Sequence, residues 1–425
     1  MYHELRERSD ACREDLTVFA EQLLRTPSYS FREEAAAGLV QGLLEDLHYD
    51  LVFRDEAGNV VGVLAGSDEG PTVLLSSHID TPRVEDEPAF PDVAPADRFE
   101  GRRLRGPGSV GSKSGAAAQI FAGHILDRSS ISFFGTIVFA ATVAQEEGNG
   151  AGIRHLMDVT LPKLGVKPDV AILGEPTGLL VCNGRDGWVD IDVTVTASDA
   201  AAAHRSAGAI HAAFSASASR GEWTGAKSSL HVSEPACRER GGVWEAGLRV
   251  RCRVIPAEAV TDRVGLVKKT ALSAAEPLAG ASIDVRVHGE RRRFYTGKSA
   301  EVLCWSNPWS TDPSRPIVRR ALDALAAAGW RDATTRTMGL ESLRLNTAGS
   351  LLADGYRVPT ICFGPGEESR THTPDESVAI EDLVNAVFGT AVLIHGAIGA
   401  PQSLTRPIDR AAGVRGEIPM KRSGG

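Results

Sequence analysis

Six side chains able to hold a divalent cation or move a proton stand at or just past the ends of apolar runs in this 425-residue chain. His78 and Asp80 close TVLLSSHID, Glu146 and Glu147 follow TIVFAATVAQ, Glu175 closes DVAILGEP, and His372 lies just beyond VPTICFGPG. Imidazole and carboxylate together suit zinc or a similar divalent ion. Taken singly, a histidine at a strand end is an ordinary satisfied polar residue, and an adjacent Glu-Glu pair is ordinary solvated surface. Their recurrence at successive strand ends is what gives the set weight. A glycine-rich stretch, GPGSVGSKSG at 106–115, adds a further candidate. A phosphate loop would need Gly followed directly by Lys, but Ser112 separates Gly111 from Lys113, and the charged DRFEGRRLR stands where a buried strand is required. The S-x-x-K spacing of a Ser/Lys nucleophile pair is absent as well.

The elements that must position these residues alternate. Two helical runs open the chain between Glu4 and about Leu47, broken by TPSYS, where Ser30 is the candidate cap of the second. Buried-strand runs follow (NVVGVLAG, TVLLSSHID, TIVFAATVAQ, DVAILGEP and, much later, VPTICFGPG), with helical stretches such as KSGAAAQIFAGHILDR between them. This order predicts an α/β fold with a mainly parallel sheet, whose ligand site lies at the carboxyl ends of the strands. After Asn183 the pattern changes. Val189, Ile191, Val193 and Val195 alternate with polar residues, an Ala-rich helix carrying His204 follows, and the strand at 248–254 alternates again. The order β-α-β-β-α-β predicts an inserted ferredoxin-like domain over 184–295, with 1–183 and 296–400 forming the catalytic domain and 401–425 a disordered tail.

Composition narrows the function classes. With 42% hydrophobic and 24% charged residues the chain reads as an ordinary globular protein, and a net charge of -9 gives no general attraction to nucleic acid or anionic membrane. The six cysteines show no C-x-x-C or framework spacing and read as reduced thiols; the polar start MYHELRERSD is unlike a signal peptide, and no apolar run approaches membrane-spanning length. The expectation is a cytoplasmic protein acting on a small molecule. ERRRF, with Arg291 to Arg293, reads as an exposed charge run ahead of the alternative, an anchor for a substrate carboxylate. GPGEE, with Gly364 and Gly366, reads either as a backbone nest for a substrate carboxylate or as an ordinary turn; Asn346 is a further candidate substrate contact.

Taken in order, HID, GPG…SKSG, QEEGNG, GEPT and GPGEESRTHTPDE resemble the zinc-dependent amidohydrolase and peptidase family of acetylornithine deacetylase, succinyl-diaminopimelate desuccinylase, aminoacylase and glutamate carboxypeptidase. The resemblance runs from about Val18 to Ile398. It implies that His78, Glu147, Glu175 and His372 are metal ligands, that Asp80 orients His78 from behind, and that Glu146 is the general base. His204 corresponds to a histidine that reaches the scissile carbonyl oxygen, often across a homodimer, although the Pro and Gly-x-Asn-Ala that follow it in the family are missing from AHRSAGAIHAAF.

The glycine-rich stretch resembles the family's G-R-G-x-x-D-x-K-G-G, whose Asp bridges both metals. Gly111 stands at that Asp, and Ser114 replaces a Gly. Each metal would keep two protein ligands, His78 with Glu175 and Glu147 with His372, below the three usual for catalytic zinc. The implied cofactor is therefore Zn2+, with Co2+ or Mn2+ as substitutes, held as one weakly bound ion or not at all. The implied activity is hydrolysis of an amide bond in an N-acyl amino acid or dipeptide-like substrate. Two rivals stand beside it: acyl transfer or amide formation in a reshaped pocket, and binding without catalysis.

Overall fold

The computed structural model describes residues 2–82, 102–219, 230–256, 258–275, 280–330, 333–338, 347–373 and 375–399. Three helices lead the chain, His3–Ala11, Arg13–Arg25 and Glu34–Asp46, where the sequence pattern predicts two. A break at Cys12 divides the first run. Ser30 does not cap the third helix, whose N-cap is Glu33; its hydroxyl is drawn into the site described below.

The main sheet is mixed. Its strands run in the spatial order Leu51–Arg54, Val60–Ala65, Thr136–Thr142, Thr72–His78, Val170–Leu173, Thr360–Cys362, Val181–Arg185 and Trp309–Ser310, with Thr335–Met338 also paired to Val181–Arg185. The four central strands, from Thr136–Thr142 to Thr360–Cys362, are mutually parallel. Their register explains why sequence-distant residues meet. His78 lies opposite Thr142, and Leu173 lies opposite both Ser76 and Cys362, so the segments carrying Glu146, Glu175 and His372 all leave the sheet at one end. Such continuous apolar strands need cover on both faces. Ile380–Ile398 and Lys113–Asp127 pack together in the larger core with Val73, Leu75, Ile137 and Phe139, while Leu74, Val138 and Ala171 join a second cluster with Ile153 and Leu352. By length and composition Ile380–Ile398 could cross a membrane, contrary to the expectation that no apolar run approaches that length; it is a core helix, mostly buried.

The second, six-stranded sheet is antiparallel. Gly187–Ala197 lies between Val243–Val254 and Ala281–Val287, with Ala236–Arg240 beyond. Helices Ala200–Ser219 and Val260–Ala275 cover one face, burying Ala203, Ile210, Phe214 and Val267 against Val189, Ile191, Val193, Leu248 and Val250 in a core of their own. The opposite face carries a cross-strand ladder in which Arg249, Arg251 and Arg253 bond Asp192, Asp190 and Asp186. That is why every second residue of these strands is polar. The hairpin Gly289–Arg293 with Ser299–Leu303 leaves this sheet and docks on the other domain, where Phe294 and Val302 enter the main core and Tyr295 Oη donates to Gly58 O at 2.8 Å.

Candidate active site

Asp80 organises the strand ends. Fully buried, it accepts through Oδ1 from His78 Nδ1 (3.1 Å) and through Oδ2 from Ser30 Oγ (2.5 Å) and the backbone N–H groups of Gln145 (3.0 Å) and Glu146 (2.9 Å). One carboxylate thus joins the ends of two parallel strands to the 28–33 segment. Burial opposes its ionisation, but His78 and these donors hold its pKa below the usual carboxylate value. With Nδ1 facing Asp80, His78 turns Nε2 outward, 3.7 Å from Glu146 Oε1. Burial would keep this ring neutral; the Asp80 bond and the charges of Asp80, Glu146 and Glu175 overcome it and raise the ring to about 9.

Glu146 lies between two histidines. Its Oε1 is also 3.3 Å from His372 Nε2, and its side chain is only 5% exposed. His372 adopts a left-handed backbone (φ 59°), an uncommon conformation for a non-glycine residue that must be held in place. Glu376 holds it: one oxygen accepts from His372 N (3.1 Å), the other from Val110 N (2.9 Å) and Gly111 N (3.1 Å). Glu376 therefore ties the glycine-rich stretch to the His372 loop. Glu175 sits beyond His78, and burial pushes its carboxyl up to about 7 against the pull of His78 and Arg185.

The glycine-rich stretch has its own logic. Ser112, at φ 55°, precedes helix Lys113–Asp127 and accepts from His78 N at 2.8 Å. Gly115 permits the helix to touch the strand end at Gly174, since a Cβ there would lie 1.9 Å from Gly174 O. Lys113 points away from the histidines and donates to Leu23 O (3.0 Å) and Thr26 O (2.8 Å); burial lowers its pKa to about 7. A Cβ on Gly111 would meet Thr371 Cγ2 at 3.2 Å and come within 4.0 Å of Glu376 Oε1.

Other sequence-predicted residues fall elsewhere. Glu147 is met by an arginine. Its Oε2 accepts from Arg292 Nη2 at 2.9 Å, and its backbone N–H donates to Ser30 Oγ at 3.1 Å. ERRRF is exposed at Arg291 and Arg293 as expected, but the docked hairpin carries Arg292 to Glu147. The nest reading of GPGEE fails at Gly364, whose N–H is taken by Thr177 Oγ1 at 3.1 Å, while Gly366 O accepts from Gly178 N at 2.7 Å; both glycines stitch two turns together. His204 is exposed on Ala200–Ser219 in the other domain, with no hydrogen bond or ion pair to His78, Glu146 or His372. Asn346 lies outside the described residues. Ser30, Ser112, Arg292 and Glu376 are the contributors whose roles sequence reasoning missed, although each stood within a quoted stretch, TPSYS, GPGSVGSKSG, ERRRF and HTPDE.

Residues 74–394 match the peptidase family M20/M25/M40. The chain belongs to that family. Among relatives, it is 24% identical to the uncharacterized protein YgeY of Escherichia coli K12 over 87% of this chain and 91% of that one. It is 26% identical to a LysW-lysine hydrolase of Deinococcus radiodurans over 86% and 92% of the two chains. Among solved structures, the dipeptidase Dug1p of Saccharomyces cerevisiae superposes with a TM-score of 0.70 at 11% identity, covering 94% of this chain and 99% of that one. The YXEP protein of Bacillus subtilis, described as a dinuclear metal-binding M20 peptidase, gives 0.63 at 15% identity over 91% and 98%.

Membership of the M20/M25/M40 peptidases makes this an enzyme of the amidohydrolase and peptidase class, in a family that is generally metal-dependent. Two positions of this member depart from the ligand set that the resemblance implies. Gly111 has no side chain to offer an ion, and Glu147 accepts from the Arg292 guanidinium.

Proposed function

We propose that this M20/M25/M40 member cleaves the amide bond of a small N-acyl amino acid or dipeptide-like substrate at the Glu146 cluster, with an ion site that lacks the bridging carboxylate of its relatives. The observation that carries the reading is the setting of Glu146. Its backbone is pinned by Asp80 and its carboxylate is enclosed between the Nε2 atoms of His78 and His372. A nearly dry carboxylate held in this way suits proton transfer, taking a proton from water as the oxygen attacks the amide carbon and returning it to the leaving nitrogen. Polar groups fixed around the carbonyl oxygen in advance stabilise the charge that develops there. His78 and His372, which flank Glu146, are the candidates for that task, and His204 would join them only if it came from a second copy or after domain movement.

Pairing of two copies through the inserted domain is part of the proposal. Its support is the strand Ala281–Val287, which among the described residues pairs on one side only and so leaves an edge to be covered. A cytoplasmic location is proposed as well, in keeping with six free cysteines.

The test uses purified full-length protein, a panel of N-acyl amino acids and dipeptides, and assays with and without added zinc, cobalt or manganese. Hydrolysis is expected, and Glu146→Gln should lower kcat by ~10²–10⁴ with substrate affinity retained. Acyl transfer to an added amine, in place of release to water, would replace this reading with a transferase. Substrate binding with no turnover under any condition would replace it with a binding protein.

A further inference from the structure

We propose that Arg292 fills the place of a cation on Glu147, so that this site balances its charge with a guanidinium where its relatives use a second metal ion. The inference goes beyond the cleavage reaction, because it concerns which cation sits on Glu147 whether or not a bond is broken there.

Three observations converge on it. The first is the contact: Arg292 Nη2 lies 2.9 Å from Glu147 Oε2, a charge-assisted hydrogen bond to one of the carboxylates expected to bind metal. The second is how firmly the guanidinium is set. Its Nη1 lies 3.4 Å from Glu290 Oε1, and its plane lies over the Phe31 ring, 4.9 Å from the centroid. Phe31 packs on Phe294, one residue past the strand that carries Arg292, at 5.9 Å between centroids. Phe294 and Val302 are buried in the main core, and Thr296 and Lys298 both bond Glu56. The hairpin holding Arg292 is therefore fastened to the same domain as Glu147, and the pair does not depend on how the two sheets approach each other.

The third observation is the charge count. A bridged two-ion site needs a carboxylate between its ions, and position 111 has none. Two divalent cations close together without that anion repel strongly in a partly dry site. The absence of a negative group at 111 and the presence of a positive group at 292 act on the balance in the same direction, each lowering the number of ions the site can hold. Arginine suits the post better than lysine would, because its planar fork can bond Glu147 and Glu290 while its face rests on Phe31.

The experiment is zinc stoichiometry by equilibrium dialysis and elemental analysis on the full chain, for the native protein, Gly111→Asp, Arg292→Gln and the double variant. Gly111 does not have a left-handed backbone, and an added Cβ needs only a small adjustment by Thr371 Cγ2, so aspartate is sterically admissible. The native protein and Gly111→Asp should each hold at most one zinc per chain, since Glu147 stays engaged. The double variant should reach two, with an apparent affinity at least about tenfold above that of Gly111→Asp. Two zinc ions in the native protein, two in Gly111→Asp alone, or no gain in the double variant would each overturn the proposal. If Arg292→Gln does not fold, as read by circular dichroism, Arg292→Lys combined with Gly111→Asp takes its place. Lysine cannot use the fork, so zinc binding should rise above that of Gly111→Asp, and an unchanged value would again overturn the proposal.

Discussion

Replacing Asp80 by Asn tests whether one buried carboxylate organises the site. The shape is kept, but the amide has a single acceptor oxygen. That oxygen can serve the three donors now on Oδ2, Ser30 Oγ and the N–H groups of Gln145 and Glu146, only by turning its NH2 toward His78 Nδ1. His78 must then accept at Nδ1 and carry its proton on Nε2, facing Glu146. The three retained bonds pass from a charged to a neutral acceptor, each losing about 1 kcal/mol, and the His78 bond, worth about 1.5–3 kcal/mol, is lost or reversed. Relief from burying a charge offsets several kcal/mol of this. The expected net destabilisation is therefore about 1–3 kcal/mol near neutral pH.

The deficit should depend on pH. In the native protein His78 is raised from 6.5 to about 9, so its contribution is complete below pH 6.5 and lost as pH rises through about 9. The Asp80→Asn substitution removes the main cause of that rise. The stability difference between native and variant should then shrink, by on the order of 2 kcal/mol, between about pH 6 and about pH 9.5. Urea unfolding at the two pH values measures this, and nitrogen NMR of labelled histidine reads the tautomer. A variant as stable as the native protein at both pH values, with the His78 tautomer unchanged, would refute the reasoning.

Two further outcomes follow from packing and assembly. Gly115→Ala should cost at least about 1–3 kcal/mol in urea unfolding, because its Cβ would meet backbone atoms of Gly174 that no rotamer change can move. Gly208→Ala, on an exposed stretch of helix with nothing within 4 Å, should instead add about 0.5–1 kcal/mol, and equal effects at the two sites would show that the helix–strand contact does not matter. Light scattering at micromolar concentration should report a dimer; a monomer there would remove the proposed role of the Ala281–Val287 edge.

Local patterning carried much of this molecule. Continuous apolar runs ending in His78, Asp80, Glu146 and Glu175 announce buried parallel strands and a site at their carboxyl ends, because side chains enclosed on both faces must be apolar and polar residues can begin only where the sheet stops. Strict alternation in 187–197 and 243–254 announces a sheet with one wet face for the same reason. What the pattern could not contain were the partners of these residues. Ser30 looks like a helix cap until Asp80 claims its hydroxyl, and Gly364 looks like a free donor until Thr177 takes its N–H. Arg292 looks like a surface charge until the Phe294 and Val302 contacts carry its hairpin 145 residues along the chain to Glu147. Residue type and spacing determined which groups this protein has for chemistry. Only tertiary contact decided which of them face one another, since hydrogen bonds and ion pairs between distant segments depend on positions in space that no local periodicity records.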